Sequence, residues 1–298
     1  MLRGLRSLIE PRDLTVVVNT GDDEVFFGLH VSPDIDTILY TLADLADAAQ
    51  GWGRRGDSYR GLGELARFYP DAWFRLGDLD LATHVYRTDR LRCGDSLSTI
   101  TAALARSLGV EARIVPMTDA PVRTFVTVAG KGALAFQQYL VRDHAAGTVE
   151  RIVARGAARA EPAEGVVDAI TGADAIVLPP SNPFVSIGPI LAVRGVRAAL
   201  RAAGAPVVAI SPLIGARPVK GPLHRMLSGL GHEVSALGVA RLYRGLADIF
   251  VIDRQDATLA PAIAKLGMTP LVTDTLMSNA AKSRRLARQV LAAAAIPR

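Results

Sequence analysis

The sequence predicts an α/β fold in which a mainly parallel sheet is covered by helices on both faces. Two observations carry that expectation. Short runs rich in Val, Ile and Leu alternate with longer stretches whose apolar residues recur at helical spacing. The short runs are continuous in apolar character, as suits strands buried on both faces. Composition agrees: of 298 residues, 50% are hydrophobic but only 5% aromatic, so a large core must be built from Ala, Leu, Val and Ile.

The elements follow in order. Strand signals lie at 14–18 (LTVVV), 111–116 (EARIVP), 123–129 (RTFVTVA), 173–179 (ADAIVLP), 205–211 (APVVAIS), 247–253 (ADIFVID) and 268–274 (MTPLVTD). Helical spacing marks 36–50, 96–109, 195–204, 221–231, 257–267 and 279–294, and most of these stretches stop at glycine. Two stretches break the rhythm. Residues 51–92 read as helical but are rich in Trp, Arg and Asp, and 117–165 read as a strand pair plus a helix with polar loops. Both are expected to be insertions on a single α/β domain spanning 1–298.

The bulk numbers exclude several classes. The net charge of +5 is carried by Arg scattered over Ala-rich helical segments, which reads as a solvated surface. No basic run is interleaved with aromatics, so nucleic acid is not an expected partner. One cysteine, Cys93, builds neither a disulfide framework nor a thiolate zinc site. No apolar run is long enough to cross a bilayer, and the N-terminus has no secretory h-region. A cytoplasmic protein with no membrane partner is expected.

Ligands in such sheets bind beyond the carboxyl ends of strands, and three candidate segments stand there. After LTVVV, the turn NTGDD displays Asp22 and Asp23, and SPDIDT offers Asp34 and Asp36 at a helix start. Any one of these aspartates is an ordinary cap or turn residue. Gathering four of them costs energy unless a cation compensates, and a hard divalent ion such as Mg2+ would do so with substrate phosphates. After ADAIVL, the loop PPSNPFVSIGPI carries Ser181, Asn182, Ser186 and Gly188; small residues and free amides at a helix start suit a phosphate. After APVVA, ISPLIGARPVKGP repeats the recipe with Ser211, Gly215 and Lys220, without Walker-loop spacing.

Two further segments carry weaker signals. Asp78, Asp80, His84, Arg87 and Asp95 are close in sequence, but a lone helical His is more often structural than catalytic, and no second His sits nearby to share a metal. Trp73, Phe74 and Tyr86 read as core, or as a wall for a flat ring. Thr118, Asp119 and Arg123 follow a strand, with Arg123 able to reach a phosphate or carboxylate.

Taken together and in this order, VNTGDD, SPDIDT, LGDLDLATHVYRT, LPPSNPFVSIGPI, ISPLIG with PVKGP, and TDTLM resemble the 2-phospho-L-lactate transferase family of coenzyme F-420 biosynthesis, which includes bacterial phosphoenolpyruvate transferases. The resemblance implies a Rossmann-like fold and usually a homodimer. It implies transfer of a phospholactyl, enolpyruvyl phosphate or phosphoglyceryl group from a guanosine diphosphate-linked donor to the deazaflavin Fo, whose ribityl hydroxyl attacks phosphorus while GMP leaves. It implies Mg2+, with Asp22 and Asp34 as ligands, Asp36 facing the Fo hydroxyls, one of these carboxylates accepting the proton, and Arg75 helping to hold Fo. The loops Ser181–Gly188 and Ser211–Gly221, with Lys220, would hold the guanosine nucleotide. Relatives also open with a strand and a loop of the form GGTGG before a helix containing LRGL; here the sequence opens at MLRGL, so that strand and loop are expected to be absent from it. Two other readings fit the alternation of elements: a non-catalytic nucleotide- or nucleotide-sugar-binding regulator, and a dinucleotide-dependent oxidoreductase. The first would not need the acidic set, and the second lacks a GxGxxG loop.

Overall fold

The structure is a computed structural model and describes residues 1–47, 49–219 and 221–295. After a short helix, Leu2–Arg6, the chain enters β1 (Thr15–Val18), then the hairpin of β2 (Glu24–Phe26) and β3 (Leu29–Val31), and the helix Pro33–Leu42. Helices Arg60–Leu65, Asp78–Arg92 and Leu97–Ser107 lead to β4 (Arg113–Pro116). β4 runs parallel to β1, with Thr15 opposite Arg113 and Val18 opposite Pro116. Next come β5 (Arg123–Val128), β6 (Gly132–Ala135) and β7 (Val149–Arg155), an antiparallel sheet of order β6–β5–β7.

The second half is more regular. β8 (Ile176–Leu178), β9 (Val207–Ile210), the small hairpin β10 (Leu213–Ile214) and β11 (Arg217–Pro218), β12 (Ile249–Asp253) and β13 (Thr269–Thr273) are separated by helices. β13–β12–β9–β8 form a four-stranded parallel sheet. Alternation along β9 and β12 sorts the two faces. Val207, Ala209, Phe250 and Ile252 join the large core under the helices Val196–Ala202 and Ala236–Leu242. Val208, Ile210 and Val251 pack instead on Leu286 and Val290 of the C-terminal helix Ala280–Ala294. Helices thus cover both faces, as the apolar runs predict.

The structure departs from the sequence expectations in four places. The parallel strands form two sheets, β1–β4 and the four-stranded one, among the described residues. These share a hydrophobic core through Val17, Val115 and Leu178 without sharing strand hydrogen bonds. The helix expected at 36–50 starts earlier, at Pro33, where the missing N–H of proline is harmless, and ends at Leu42, with Asp44 at φ 57° soon after. Residues 51–92 are only partly helical, at Arg60–Leu65 and Asp78–Arg92. Residues 117–165 hold a third strand, β7, and their helix is a π-helical turn, Gln138–Arg142.

Candidate functional site

A cleft of about 810 Å³ opens beyond the carboxyl ends of the parallel strands. Asp22 follows β1, Ser181 and Asn182 follow β8, Ser211 follows β9, and Thr275 and Met277 follow β13; all line it. The facing wall comes from Asp34, Asp36 and Tyr40 of the helix Pro33–Leu42, with Asp80 and His84 of the helix Asp78–Arg92. Trp52, Phe74 and Arg75 form its aromatic side, and the π-helical turn contributes Gln137, Leu140 and Val141.

The acidic turn is organised by Asn19, a residue the sequence reading passes over. Its carboxamide oxygen accepts from Gly21 N (2.8 Å), and its Nδ2 donates to Asp34 Oδ2 (2.9 Å) and to Val185 O (3.2 Å). One side chain therefore ties the end of β1 to the aspartate helix and to the loop after β8. Gly21 sits at the same junction. Thr124 N donates to Gly21 O (2.7 Å), and a Cβ at Gly21 would lie 2.6 Å from Thr124 Oγ1 and 3.1 Å from the Pro189 side chain.

Asp22 is buried, and its Oδ1 has no hydrogen-bond partner among the described residues. Burial, then the charge of Asp34, push its pKa well above the ordinary carboxylate range, against the pull of Asn19. Asp34 is raised to about 6, by burial first and by the charge of Asp23, again opposed by Asn19. Asp23 has its own partners: Ser32 Oγ donates to its Oδ2 (2.7 Å), and His30 Nε2 lies 3.0 Å away. No basic side chain pairs with Asp22 or Asp34 among the described residues.

The facing cluster is neutralised from within. Arg87, fully buried, grips both oxygens of Asp36: Nη1 donates to Oδ2 (3.2 Å) and Nη2 to Oδ1. His84 lies between two carboxylates, Nδ1 3.7 Å from Asp36 Oδ2 and Nε2 3.4 Å from Asp80 Oδ2. The Tyr40 hydroxyl sits 2.5 Å from Asp80 Oδ1 and 2.8 Å from Thr83 Oγ1. Burial raises the pKa of Asp36, and Arg87 and His84 restrain the rise. Burial works against the Asp80 carboxylate too, but His84 and Tyr40 outweigh it and hold its pKa below the usual value.

Asp36, Asp80 and His84 present ligand atoms within 4.8 Å of one another, which would suit a metal by distance alone. Arg87 argues against one there: it occupies both oxygens of Asp36 and would place a guanidinium beside the ion. A cation is better matched by Asp22 and Asp34, whose charges lack an internal partner and where a carboxylate oxygen is orphaned. Carboxylate oxygens lining an open cleft are a donor set that fits Mg2+.

The remaining sequence candidates divide. Ser181, Asn182, Ser186 and Ser211 reach the cleft. Asn182 Oδ1 accepts from Phe184 N (2.9 Å) and Val185 N (3.4 Å), so its side chain shapes the loop. Ser211 Oγ is held in the turn by Leu213 N and O, each at 3.1 Å. Gly188 and Gly215 are not among the residues lining the cleft. Gly188 lets the helix Ile187–Ala192 close on Pro183, whose carbonyl a Cβ would meet at 2.8 Å. Gly215 takes φ +53° and donates from its N–H to Asp256 Oδ2 (3.0 Å). Lys220 lies outside the described residues. Arg75 is exposed at the cleft mouth, its guanidinium 4.3 Å from the Tyr59 ring centre and 5.6 Å from that of Trp52.

Asp78, Asp95 and Asp119 are structural: Asp78 accepts from Arg60 N and Gly61 N, Asp95 pairs with Arg90, and Asp119 holds Ser98 at the start of the helix Leu97–Ser107. Thr118 donates to Glu161 O and Arg123 to Val122 O, away from the cleft. Phe74 stacks on Phe26 (3.9 Å between centres) with one side to the cleft, Trp73 packs edge-on behind it, and Tyr86 is exposed.

Among the described residues no helix is long and apolar enough to cross a membrane. Compared with known proteins, residues 1–294 match the profile of the family described as 2-phospho-L-lactate transferase CofD. A phosphoenolpyruvate transferase of Streptomyces griseus is 43% identical over 295 residues, covering 97% of this chain and 93% of that protein. A 2-phospho-L-lactate transferase of Methanosarcina acetivorans is 38% identical over 291 residues, covering 98% and 94%. Among solved structures, a UPF0052 family member from Bacillus halodurans superposes with a TM-score of 0.65 at 16% identity, covering 97% and 94% of the two chains, a likeness of fold.

Proposed function

The chain belongs to the 2-phospho-L-lactate transferase CofD family, and from that premise we propose that it moves a phospho-carboxylic acid group from a guanosine diphosphate-linked donor to the ribityl hydroxyl of the deazaflavin Fo. In this reading it acts in coenzyme F-420 biosynthesis, in the cytoplasm, as a homodimer. The observation that carries the reading is the pair Asp22 and Asp34. Buried Asp22 beyond β1 and half-buried Asp34 at the start of the helix Pro33–Leu42 lack a cationic partner among the described residues, and Asn19 ties Asp34 to the loop after β8. That is where a phosphate-bearing donor and a divalent ion would compensate them.

The reaction needs alignment more than covalent help. The hydroxyl oxygen of Fo forms a bond to the donor phosphorus carrying the acid, the bond from that phosphorus to the bridging oxygen breaks, and the electron pair leaves with GMP. Asp22 and Asp34 would hold Mg2+, which supplies charge neutralisation for the phosphates when bound. The attacking hydroxyl loses its proton to a carboxylate of this set. Asn19 engages one oxygen of Asp34 and leaves the other for the ion. Asp36 is a poor proton acceptor, because Arg87 holds both its oxygens. It serves instead as a fixed acceptor for the Fo hydroxyls, with Arg75, Trp52 and Phe74 beside the flat ring. Ser181 and Ser186 line the donor side.

The test is direct. The chain is incubated with Fo and each guanosine diphosphate-linked acid in turn, with and without Mg2+, and the products are resolved by mass. Mg2+-dependent appearance of GMP together with the Fo phosphodiester is expected. Binding of both substrates with no product under any donor would favour the nucleotide-binding regulator.

A further inference from the structure

Gln137 is a polar side chain of the cleft that neither the acidic set nor the phosphate loops account for. Gln137 is 6% exposed and lines the cleft. Its carboxamide has no hydrogen-bond partner among the described residues. The amide is open to the cleft and engaged by no described residue, so its two donors and its acceptor are available to whatever enters.

The backbone around it is built to hold it. Gln137 is the last α-helical residue before the π-helical turn Gln138–Arg142, which closes with Asp143 N donating to Gln138 O (2.9 Å). Such turns re-aim side chains and cluster at functional sites. The segment then leaves through two non-glycine residues at positive φ, His144 (50°) and Ala145 (53°), a strained pairing that the surroundings must enforce. Arg225 does so by donating to Ala145 O (2.6 Å), and Ala145 N donates to Tyr139 O (2.7 Å). The neighbours of Gln137 in the cleft wall are apolar: Phe136, Leu140 and Val185.

A lone carboxamide set in an apolar wall is matched by a flat heterocycle with adjacent N–H and C=O groups on one edge, since each pairs with one half of the amide. The geometry points to Gln137 as a specificity-determining residue that reads the lactam edge of a substrate ring lying against Phe136, Leu140 and Val185. This rests on the transferase reading, in which two rings carry such an edge: the guanine of the donor and the pyrimidinedione of Fo. A site built to hydrogen-bond a ring rejects analogues lacking that edge far more strongly than an apolar pocket does.

The experiment uses Gln137→Met, which keeps volume and removes the amide, with Gln137→Glu as a second variant that keeps shape and acceptor but loses the donor. Fo binding is followed by fluorescence and GDP binding by calorimetry, each with Mg2+, beside a thermal melt. Both variants are expected to melt within a few degrees of wild type. Gln137→Met should lose about 10- to 100-fold affinity for one of the two ligands only: Fo if the pyrimidinedione is read, GDP if guanine is. For that ligand, wild type should discriminate against the ring N-methylated at the lactam edge, and Gln137→Met should bind the methylated and parent rings alike. Unchanged affinity for both ligands, or equal loss for both with a lowered melt, overturns the assignment. A wild-type chain that binds neither Fo nor GDP overturns the transferase reading beneath it.

Discussion

Within the cleft Asp36 and Asp80 are surrounded by Arg87, His84 and Tyr40. Asp34, on the same helix as Asp36, and Asp22 have neutral groups alone, Asn19 and Thr124, to temper their repulsion. Residue type and burial are similar, and the partners differ. A self-neutralised cluster is scaffold: it holds its shape with the cleft empty, and its cation is already in place. An unneutralised pair is unfinished, and its energetics are completed only by what enters. In the proposed reaction the first cluster positions and the second pair meets the cation.

The comparison can be broken from either side. The largest effect is expected at Asp34. Asp34→Asn should lower transfer by about 10²- to 10³-fold or more while leaving the melting temperature equal or higher, because a buried repulsive charge is removed. Turnover measured beside a thermal melt checks it, and normal turnover would end the role of Asp34 as a ligand. Next in size is Arg87→Met, expected to cost about 3–5 kcal/mol in urea unfolding, since it strands Asp36 buried without its cation. Adding Asp36→Asn to that variant should restore part of the loss, and a variant as stable as wild type would show that Asp36 is not charged in the fold.

A pH titration sharpens the contrast. Asp22 and Asp34 have folded pKa values above their unfolded ones, so the folded state holds more protons, and their contribution favours folding at low pH and fades as pH rises from the usual carboxylate range through about 6. The gain in melting temperature on adding Mg2+ should therefore grow over the same window and level off above it. It should shrink sharply in Asp34→Asn; a gain that is flat with pH would place the ion elsewhere. The smallest effect is expected at the rim: Arg75→Ala, which loses stacking worth about 0.5–1 kcal/mol, should weaken Fo binding about two- to fivefold and leave its Mg2+ dependence intact.

Much of this was legible in the sequence, for identifiable reasons. Strands such as 205–211 and 247–253 are buried on both faces, so their apolar runs are continuous and hard to mistake. The acidic turn stood out because four aspartates close in the chain are unusual whatever their contacts. The hairpin β2–β3 was not legible: each strand has three residues and the turn is made at Phe27 and Gly28 without a strong turn pair. Nor was the split between the neutralised cluster and the unneutralised pair. What neutralises Asp36 is Arg87, 51 residues away, and no local pattern announces that pairing. Asn19 escaped for the same reason, since one of its three contacts reaches Val185, 166 residues on.

Gly21 gives the cleft a mechanical property. Three segments meet on its α-carbon: the acidic turn, the start of the antiparallel sheet at Thr124, and the helix Ile187–Ala192 that follows the loop after β8, at Pro189. A single methyl group there would act as a shim, wedging the aspartates and the helix after β8 apart by a few tenths of an ångström while leaving both intact. In the proposed transfer both substrates would still bind, yet they would arrive out of line, and in an in-line displacement misalignment is felt in turnover and hardly at all in occupancy.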